Sequence, residues 1–197
     1  MTFKLGLTGS IGMGKSTTAQ MFAELGIPVW EADATVHKLY STGGAAVSAI
    51  QEMYPEAVEN GEVSRPALKS LILSNANVLG ELESIVHPLV ATDRQNFIET
   101  SDSDIVLLDI PLLFETNGDK HLDAIACVNI DAETQRERVL QRGTMTEEQF
   151  EQILNKQLPN DVKCSQSDFV IQTDNLDHAK EQVAHIIELI RKDYIYA

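Results

Sequence analysis

The residues with the clearest chemistry lie near the start of the chain, where Gly9-Ser10-Ile11-Gly12-Met13-Gly14-Lys15-Ser16 follow a short apolar run. They match the pattern Gly-x-x-x-x-Gly-Lys-Ser/Thr, in which main-chain N–H groups of a glycine-rich loop surround phosphate oxygens. Lys15 supplies a positive charge for the outer phosphates, and the Ser16 hydroxyl is a ligand for Mg²⁺. The pattern predicts a nucleotide phosphate site. A dinucleotide site fits less well, because Thr17 stands where Gly-x-Gly-x-x-Gly needs its third glycine.

Two carboxylates follow apolar runs that are typical of strands. Asp109 comes directly after residues 105–108, and Asp33 comes three residues after the run 27–30. Ligands of an open parallel sheet bind at the carboxyl ends of its strands, so we expect both acids and the glycine-rich loop to face one crevice. Asp109 is suited to hold Mg²⁺ through water, or else it is an ordinary strand-end cap. Asp33 is suited to accept the proton of an attacking hydroxyl group, or else it caps the next helix.

Two arginines form a second group with possible phosphate chemistry. Arg138 and Arg142 are one helical turn apart, with Gln135 before them, so their side chains share a helix face. They are placed to reach transferring phosphates when a lid closes. The alternative is a solvated charged face, which is common on surface helices.

One of the five histidines is distinctive in its setting. His87 is followed by Pro88, which predicts a junction between two helices at this point. On the residues alone, a packed or capping role is favoured over a ligand role, because lone histidines are usually structural.

Composition limits the class of protein to which the chain can belong. Its 197 residues suffice for one ordinary domain with insertions, and 43% hydrophobic with 23% charged residues is typical of a globular protein. The 30 Asp and Glu against 15 Lys and Arg give a formal net charge of −15. Such a charge repels a nucleic-acid backbone, which argues against a general nucleic-acid binder.

Cysteine use and hydropathy indicate the compartment. Cys127 and Cys164 form no Cys-x-x-Cys pair, so they predict neither a disulfide framework nor a thiol metal site, and a reducing compartment fits best. No stretch reaches the ~20 apolar residues of a membrane span, and the first residues lack the pattern of a signal peptide. We therefore expect a cytoplasmic protein.

Five short apolar runs predict the strands that must position these residues: 3–7, 27–30, 105–108, 124–130 and 169–171. Helices are predicted between them. One is indicated by an apolar stripe through Ala179, Val183, Ile186, Ile187, Ile190 and Tyr194, and another by a capping box that begins at Thr146. Alternating strands and helices over this length predict an α/β fold, a parallel five-stranded sheet with helices on both faces.

Two segments depart from that alternation. Residues 34–100 contain several helical stretches, including one that starts near Ser64, and no convincing strand. They are predicted to form a helical insertion. Residues 138–158, between the fourth and fifth strands, are predicted to form a small lid. The nucleotide-binding core then consists of residues 1–33, 101–137 and 159–197 of a single chain.

Taken together, the motifs resemble those of the dephospho-CoA kinase family. The resemblance runs from the N-terminus to about Ile171, and the ordered combination is far more specific than the glycine-rich loop alone. The segments that carry it are Leu7-Thr8-Gly9-Ser10-Ile11-Gly12-Met13-Gly14-Lys15-Ser16, Ala32-Asp33, Gly61-x-x-x-Arg65, His87-Pro88, Pro111-Leu112-Leu113-Phe114-Glu115 and Gln135-x-x-Arg138.

The resemblance implies a P-loop NTPase fold similar to that of nucleoside monophosphate kinases, with a helical substrate-binding insertion and a lid. It implies that ATP phosphorylates the ribose 3′-hydroxyl of dephospho-CoA, the last step of coenzyme A synthesis. The implied cofactors are ATP and Mg²⁺. The implied partner is a small-molecule substrate, without nucleic acid or membrane, and the chain is expected to be a monomer or weak homo-oligomer.

Carried over by position, the resemblance also assigns the site residues. The expected catalytic residues are Thr8, Lys15, Asp33 and Arg138. The expected cofactor-binding residues are Gly9, Ile11, Gly12, Met13, Gly14, Lys15, Ser16, Thr17 and Arg142. The expected substrate-binding residues are Asp33, Arg65 and His87, and the expected metal ligands are Ser16 and Asp109.

The chain departs from the family pattern at three positions. Glu31 stands where Asp is usual, Gly143 follows Arg142 where Asp is common, and Thr173 follows the last strand where Asn is usual. Asp33 is retained, so the expected base is intact. The change at Thr173 concerns the adenine end of ATP.

Two alternative functions stay open at the level of sequence. One is another kinase of the same fold, acting on a nucleotide, a sugar acid or shikimate. The other is a regulatory nucleotide switch. A GTP switch is disfavoured, because Val128-Asn129-Ile130-Asp131 lacks the Asn-Lys-x-Asp pattern that reads guanine.

Overall fold

A computed structural model describes residues 2–195, which divide into two units. The first contains the residues up to Trp30 together with those from Ser101 onward, and the second is Glu31–Thr100. Within the described residues, no helix is long and apolar enough to cross a lipid bilayer.

The sheet of the first unit consists of the five strands predicted from the apolar runs. They are β1 (Phe3–Thr8), β2 (Val29–Glu31), β5 (Ile105–Asp109), β6 (Ala124–Asn129) and β7 (Phe169–Gln172), in the order β2-β5-β1-β6-β7. The strands run parallel, and β1 at the centre pairs Leu5 with Leu107 of β5 and Leu7 with Ala126 of β6. The central strands are buried along nearly their whole length, which explains their unbroken apolar sequences.

The described part of this unit has five α-helices: α1 (Lys15–Glu24), α6 (Ala132–Gln141), α7 (Glu147–Leu154), α8 (Asn160–Ser165) and α9 (Leu176–Ile190). It also has a 3-10 helix (Gly118–His121) and a π-helical turn (Arg191–Ile195). The predicted stripe of α9 is confirmed from Ala179 to Ile190, whose apolar residues pack with α1 and β1 in one core. Tyr194, the last predicted member of the stripe, lies beyond α9 and is exposed. The predicted capping box is also confirmed: the Thr146 hydroxyl accepts a bond from the N–H of Gln149, whose side chain accepts one from the N–H of Thr146.

The second unit contains four helices and a small hairpin around its own apolar core. The helices are α2 (Ala32–Tyr40), α3 (Val47–Met53), α4 (Arg65–Ser74) and α5 (Asn77–Thr100), and the hairpin pairs β3 (Val58–Glu59) with β4 (Glu62–Val63). The start of α4 near Ser64 is confirmed, whereas the prediction that this segment has no strand is wrong. The missed signal is Asn60-Gly61, where both residues have positive φ (53° and 81°), as a two-residue hairpin turn requires.

The predicted helix junction at His87 is also wrong. Pro88 lies inside the single 24-residue helix α5. A proline in a helix interior removes one main-chain hydrogen bond and costs ~3 kcal/mol. The helix continues because Val78, Leu82 and Val86 are buried in the core of the second unit, and tertiary packing outweighs the local cost.

Candidate active site

The glycine-rich loop joins β1 to α1, as its sequence predicted. Gly12 and Gly14 have positive φ values of 82° and 95°, a backbone conformation that favours glycine. A Cβ atom added at Gly12 would also lie 2.5 Å from Cγ2 of Val139 on α6. The loop therefore turns its main chain sharply just before the positive end of α1, where anions bind readily.

Side chains from distant segments hold the first half of the loop. The N–H of Ser10 donates to Oδ1 of Asn160 at 2.9 Å, and the N–H of Ile11 donates to Oε1 of Gln157 at 3.0 Å. The buried Gln135 donates from Nε2 to the carbonyl of Ile11 at 2.6 Å. Sequence reasoning missed Asn160 and Gln157, because neither belongs to a recognised local motif.

The lysine of the loop forms an ion pair with the acid at the end of the neighbouring strand. Lys15 Nζ contacts Oδ1 of Asp109, and the two side chains are 16% and 6% exposed. The pair forms because β1 and β5 are adjacent and parallel, so Lys15 and Asp109 emerge at the same edge of the sheet. Two of the predicted site residues are thus brought together, with Ser16 next along the chain.

The second half of the loop borders a cavity of about 480 Å³. It is lined by Gly14, Thr17, Arg138, Arg142, Thr173 and Asn175, among others. Both predicted arginines therefore face the same space as the end of the loop. A cavity of this size is suited to a small ligand such as the base and sugar of a nucleotide.

Thr173, which departs from the family pattern, connects the loop to Arg138. Its buried hydroxyl donates to the carbonyl of Met13 at 2.8 Å and lies 3.2 Å from Nη1 of Arg138. Nη2 of Arg138 donates to the carbonyl of Thr173 at 2.7 Å. The guanidinium is thereby held at the wall of the cavity rather than on a free helix face.

A buried ion pair braces the segment that follows β5. Nζ of the fully buried Lys163 lies 2.8 Å from Oε1 of Glu115 and donates to the carbonyl of Pro111 at 3.2 Å. The hydroxyl of Thr8, also fully buried, donates to the same carbonyl at 3.2 Å. Thr8 thus supports the main chain just beyond Asp109.

The pKa of Glu115 is set by opposing effects. Burial acts to raise it, but the hydrogen bonds from Lys163 and from the N–H of Leu158 outweigh burial, so the pKa lies below its usual value. Oε2 of Glu115 is buried and has no hydrogen-bond partner among the described residues. Glu115 therefore stays ionised and links the segment after β5 to the end of the predicted lid.

In the second unit, Asp33 lies in the first turn of α2 and is exposed. The N-cap is Glu31, without a capping side-chain bond, and the Asp33 carboxylate makes no hydrogen bond or ion pair to a described residue. The alternative that Asp33 caps this helix is therefore not what the geometry favours. Its carboxylate is available to a ligand.

The other two predicted substrate-binding residues also lie on exposed surfaces of the second unit. Arg65 is the first residue of α4, and its charge acts on Tyr40 at the far end of α2 from Asp33. Burial nevertheless raises the pKa of Tyr40 above its usual value. His87 lies in the middle of α5. No contact joins Asp33, Arg65 and His87 directly in the described structure.

The two cysteines are close in space although distant in sequence. Sγ of Cys127 on β6 lies 3.4 Å from Sγ of Cys164 on α8, and both are free thiols. Burial is the main cause that raises the pKa of each thiol. They therefore behave as packed thiols, and no cluster of three or more His, Cys, Asp or Glu suited to a metal occurs in residues 2–195.

Comparison with known proteins gives consistent results. The dephospho-CoA kinase family model matches residues 3–178. The dephospho-CoA kinase of Ruegeria pomeroyi is 58% identical over 197 residues, covering 100% of both chains. That of Jannaschia sp. (strain CCS1) is 50% identical over 188 residues, covering 95% of this chain and 96% of the relative.

Solved structures agree on the fold. A Thermus thermophilus protein matches with a TM-score of 0.86 at 28% identity, covering 95% of this chain and 96% of the other. Dephospho-CoA kinase from Campylobacter jejuni matches with a TM-score of 0.71 at 22% identity over 98% of both chains. A shikimate kinase from Acinetobacter baumannii matches with a TM-score of 0.51 at 17% identity, covering 99% and 96%. The last two matches concern the fold alone.

Proposed function

This chain belongs to the dephospho-CoA kinase family, and on that premise we propose how its residues share the transfer of a phosphoryl group from ATP to the ribose 3′-hydroxyl of dephospho-CoA. The reaction is the final step of coenzyme A synthesis. The main observation behind the residue roles proposed below is the Lys15–Asp109 ion pair, which joins the glycine-rich loop to the end of β5.

ATP binds to the loop and to the adjoining cavity. The amides of Gly12 and of Gly14 to Thr17 contact its phosphates, whereas the N–H of Met13 donates to the carbonyl of Ser10 at 3.2 Å within the loop. Lys15 moves from Asp109 to the outer phosphates, which carry more negative charge. The adenosine part occupies the cavity beside Thr173 and Arg142. Ser10 and Ile11 instead hold the shape of the loop, because their N–H groups are bonded to Asn160 and Gln157.

Mg²⁺ fits the oxygen ligands present at this edge of the sheet. The Ser16 hydroxyl and the Asp109 carboxylate are the proposed protein ligands. Two protein oxygens suit Mg²⁺, because this ion keeps several water ligands and also binds the phosphates of the substrate. When bound, the ion neutralises charge on the phosphates. Lys15 and Asp109 orient the groups around it.

Asp33 is the proposed general base. Its exposed carboxylate has no protein partner among the described residues, which supports a role toward the acceptor hydroxyl. As the 3′-oxygen attacks the γ-phosphorus, the bond to the β,γ-bridging oxygen breaks and Asp33 takes the hydroxyl proton. Catalysis then depends on positioning and electrostatics.

Arg138 is proposed to stabilise the charge that develops on the transferring phosphoryl group. Its guanidinium lines the cavity beside Gly14 and is oriented by Thr173, so part of its side-chain entropy is already lost before ATP binds. Thr8 is proposed to act through Pro111, by fixing the main chain next to Asp109. Arg65 and His87 are proposed to bind the acceptor.

At the level of the whole chain, we propose that residues 34–100 bind the acceptor and that residues 138–158 form a lid over the core. The protein acts in the cytoplasm on small molecules, as a monomer or weak homo-oligomer. The net charge of −15 does not prevent polyanion binding, because Lys15, Arg138 and Arg142 reverse the charge locally.

The proposal is tested with purified protein, ATP, Mg²⁺ and a panel of acceptors containing dephospho-CoA, nucleoside monophosphates, gluconate and shikimate. We expect ADP release only with dephospho-CoA, and a product phosphorylated at the 3′-position by mass spectrometry and NMR. Lys15→Met should lower turnover at least about 100-fold. Preference for another acceptor would identify a different kinase, and acceptor-independent hydrolysis would favour a nucleotide switch.

A further inference from the structure

One cation of the second unit is withdrawn from solvent without a counter-charge. Arg94, on α5, is half-buried and makes no hydrogen bond or ion pair to any residue in the range 2–195. The other Lys and Arg side chains with comparable or greater burial all have partners: Lys4 with Asp123, Lys15 with Asp109, Lys163 with Glu115, Arg191 with Asp104, and Arg138 with Thr173. Arg94 is therefore an exception among the described residues, because it has neither a carboxylate nor a hydrogen-bond acceptor as partner, and we expect it to bind an anion.

The lack of a partner is costly in physical terms. Burial lowers the pKa of Arg94, although a guanidinium remains charged at neutral pH. A sheltered charge is normally paired, and the chain carries 30 carboxylates that could have served. A ligand phosphate would supply the missing charge, and the planar guanidinium matches two phosphate oxygens at once.

The position of Arg94 relates it to the acceptor. Thr35 and Lys38 of α2 both contact the carboxylate of Asp93, at 3.2 and 3.0 Å, and Arg94 is the next residue of α5. Asp33 is two residues before Thr35, so the Cα atoms of Asp33 and Arg94 lie within about 18 Å of each other. A ligand whose hydroxyl meets Asp33 can therefore extend to Arg94.

A second feature lies on the same face of α5. Residues seven apart on a helix are nearly aligned, so His87 is in line with Arg94, about 10.5 Å away along the axis. Between them on that face is Ala91, whose small exposed side chain leaves room for a ligand. We propose that Arg94, next to His87 on this face, binds the diphosphate of dephospho-CoA.

This inference rests on the proposed function, since the diphosphate is the ionised part of that acceptor at neutral pH. It makes Arg94 a specificity-determining residue. An acceptor that has a ribose hydroxyl but lacks the diphosphate gains nothing from Arg94. Binding of ATP, at the loop of the first unit, should be independent of it.

The test compares Arg94→Gln with the wild type. We expect KM for dephospho-CoA to rise about tenfold or more, since a hydrogen bond to a charged group is lost, while KM for ATP stays within about twofold. Adenosine, used as an inhibitor competitive with dephospho-CoA at saturating ATP, should keep its inhibition constant. Lys69→Gln, which removes an exposed cation of α4, is the matched control and should change neither KM.

The inference is overturned if KM for dephospho-CoA stays within about twofold in Arg94→Gln, or if adenosine inhibition weakens to the same extent as acceptor binding. If thermal melting shows that Arg94→Gln is unfolded, Arg94→Lys is measured in its place. The lysine ammonium cannot donate two parallel hydrogen bonds as a guanidinium does, so KM for dephospho-CoA should rise at least about threefold. An unchanged KM for dephospho-CoA overturns the inference. A wild type that does not phosphorylate dephospho-CoA at all overturns the proposed function as well.

Discussion

The side-chain oxygen of Asn160 accepts a hydrogen bond of 2.9 Å from the main-chain N–H of Ser10, 150 residues away in sequence. The same side chain donates from Nδ2 to the carbonyl of Val128 and to Oδ1 of Asn129, each at 3.0 Å. Asn160 thus connects the phosphate-binding loop to the end of β6. The start of α8 thus holds the glycine-rich loop in place, although it carries no residue of a nucleotide-binding motif.

We predict that Asn160→Ala weakens ATP binding as well as the fold. The change leaves the N–H of Ser10 and the carbonyl of Val128 without their partner, which should cost about 1–3 kcal/mol of unfolding free energy. A loop that is less well held should also raise KM for ATP more than KM for dephospho-CoA. Urea denaturation and steady-state kinetics check the two effects. Asn155→Ala, at the exposed end of α7, should show neither.

Asp33→Asn should lower kcat about 10²- to 10⁴-fold and leave the Kd of ATP nearly unchanged, because the amide cannot accept the hydroxyl proton. The control is Asp177→Asn, since Asp177 occupies the same position in the first turn of α9 and reports any general effect on helix stability. Rapid-quench kinetics and calorimetric ATP binding provide the measurements. Wild-type turnover in Asp33→Asn would remove the base from the mechanism.

Thr173→Val should raise KM for ATP about tenfold. Valine has nearly the same shape but lacks the hydroxyl, so the carbonyl of Met13 loses its donor and Arg138 loses one of two contacts. KM for dephospho-CoA should stay unchanged. Thr100→Val, at the exposed end of α5, is the matched control. Equal changes in both KM values would show that Thr173 supports the fold and not the nucleotide.

Lys163→Met should lower the unfolding free energy by about 3 kcal/mol at pH 7, because it leaves the largely buried Glu115 carboxylate without its cation. Lys4→Met breaks a more exposed pair with Asp123 and should cost less than about 1 kcal/mol. Denaturant titrations of both variants and the wild type test the difference.

The effect of Lys163→Met on the unfolding free energy should depend on pH. In the wild type the pKa of Glu115 is depressed by folding, so its stabilising contribution is present above the usual glutamate pKa and is lost as the pH falls through the folded value. In Lys163→Met, Glu115 loses the cation that lowers its pKa, so burial should raise the pKa of its carboxyl in the folded protein. The stability difference between the two proteins should therefore narrow between about pH 7 and pH 4. A constant difference would show that charge at Glu115 is not the cause.

The sequence alone was sufficient for features that depend on neighbouring residues. The glycine-rich loop, the capping box at Thr146 and the α9 stripe are local patterns, and each is confirmed as an element of the structure. The Asn60-Gly61 hairpin was just as local and could have been found from its turn residues. The identity of the family also followed from sequence, because several short motifs occur in a fixed order along the chain.

Only the tertiary structure decided which distant side chains meet. Pro88 indicated the end of a helix, but burial of one face of α5 outweighs the lost hydrogen bond. Nothing in the sequence singles out Gln157, Asn160 or Lys163 as partners of the loop and of Glu115, because these contacts depend on how α8 and the residues just before it are placed in the tertiary structure. The lack of a partner for Arg94 is of the same kind. It becomes visible only when the partners of the other partly buried cations in residues 2–195 are known, because pairing depends on distance in space and not on order along the chain.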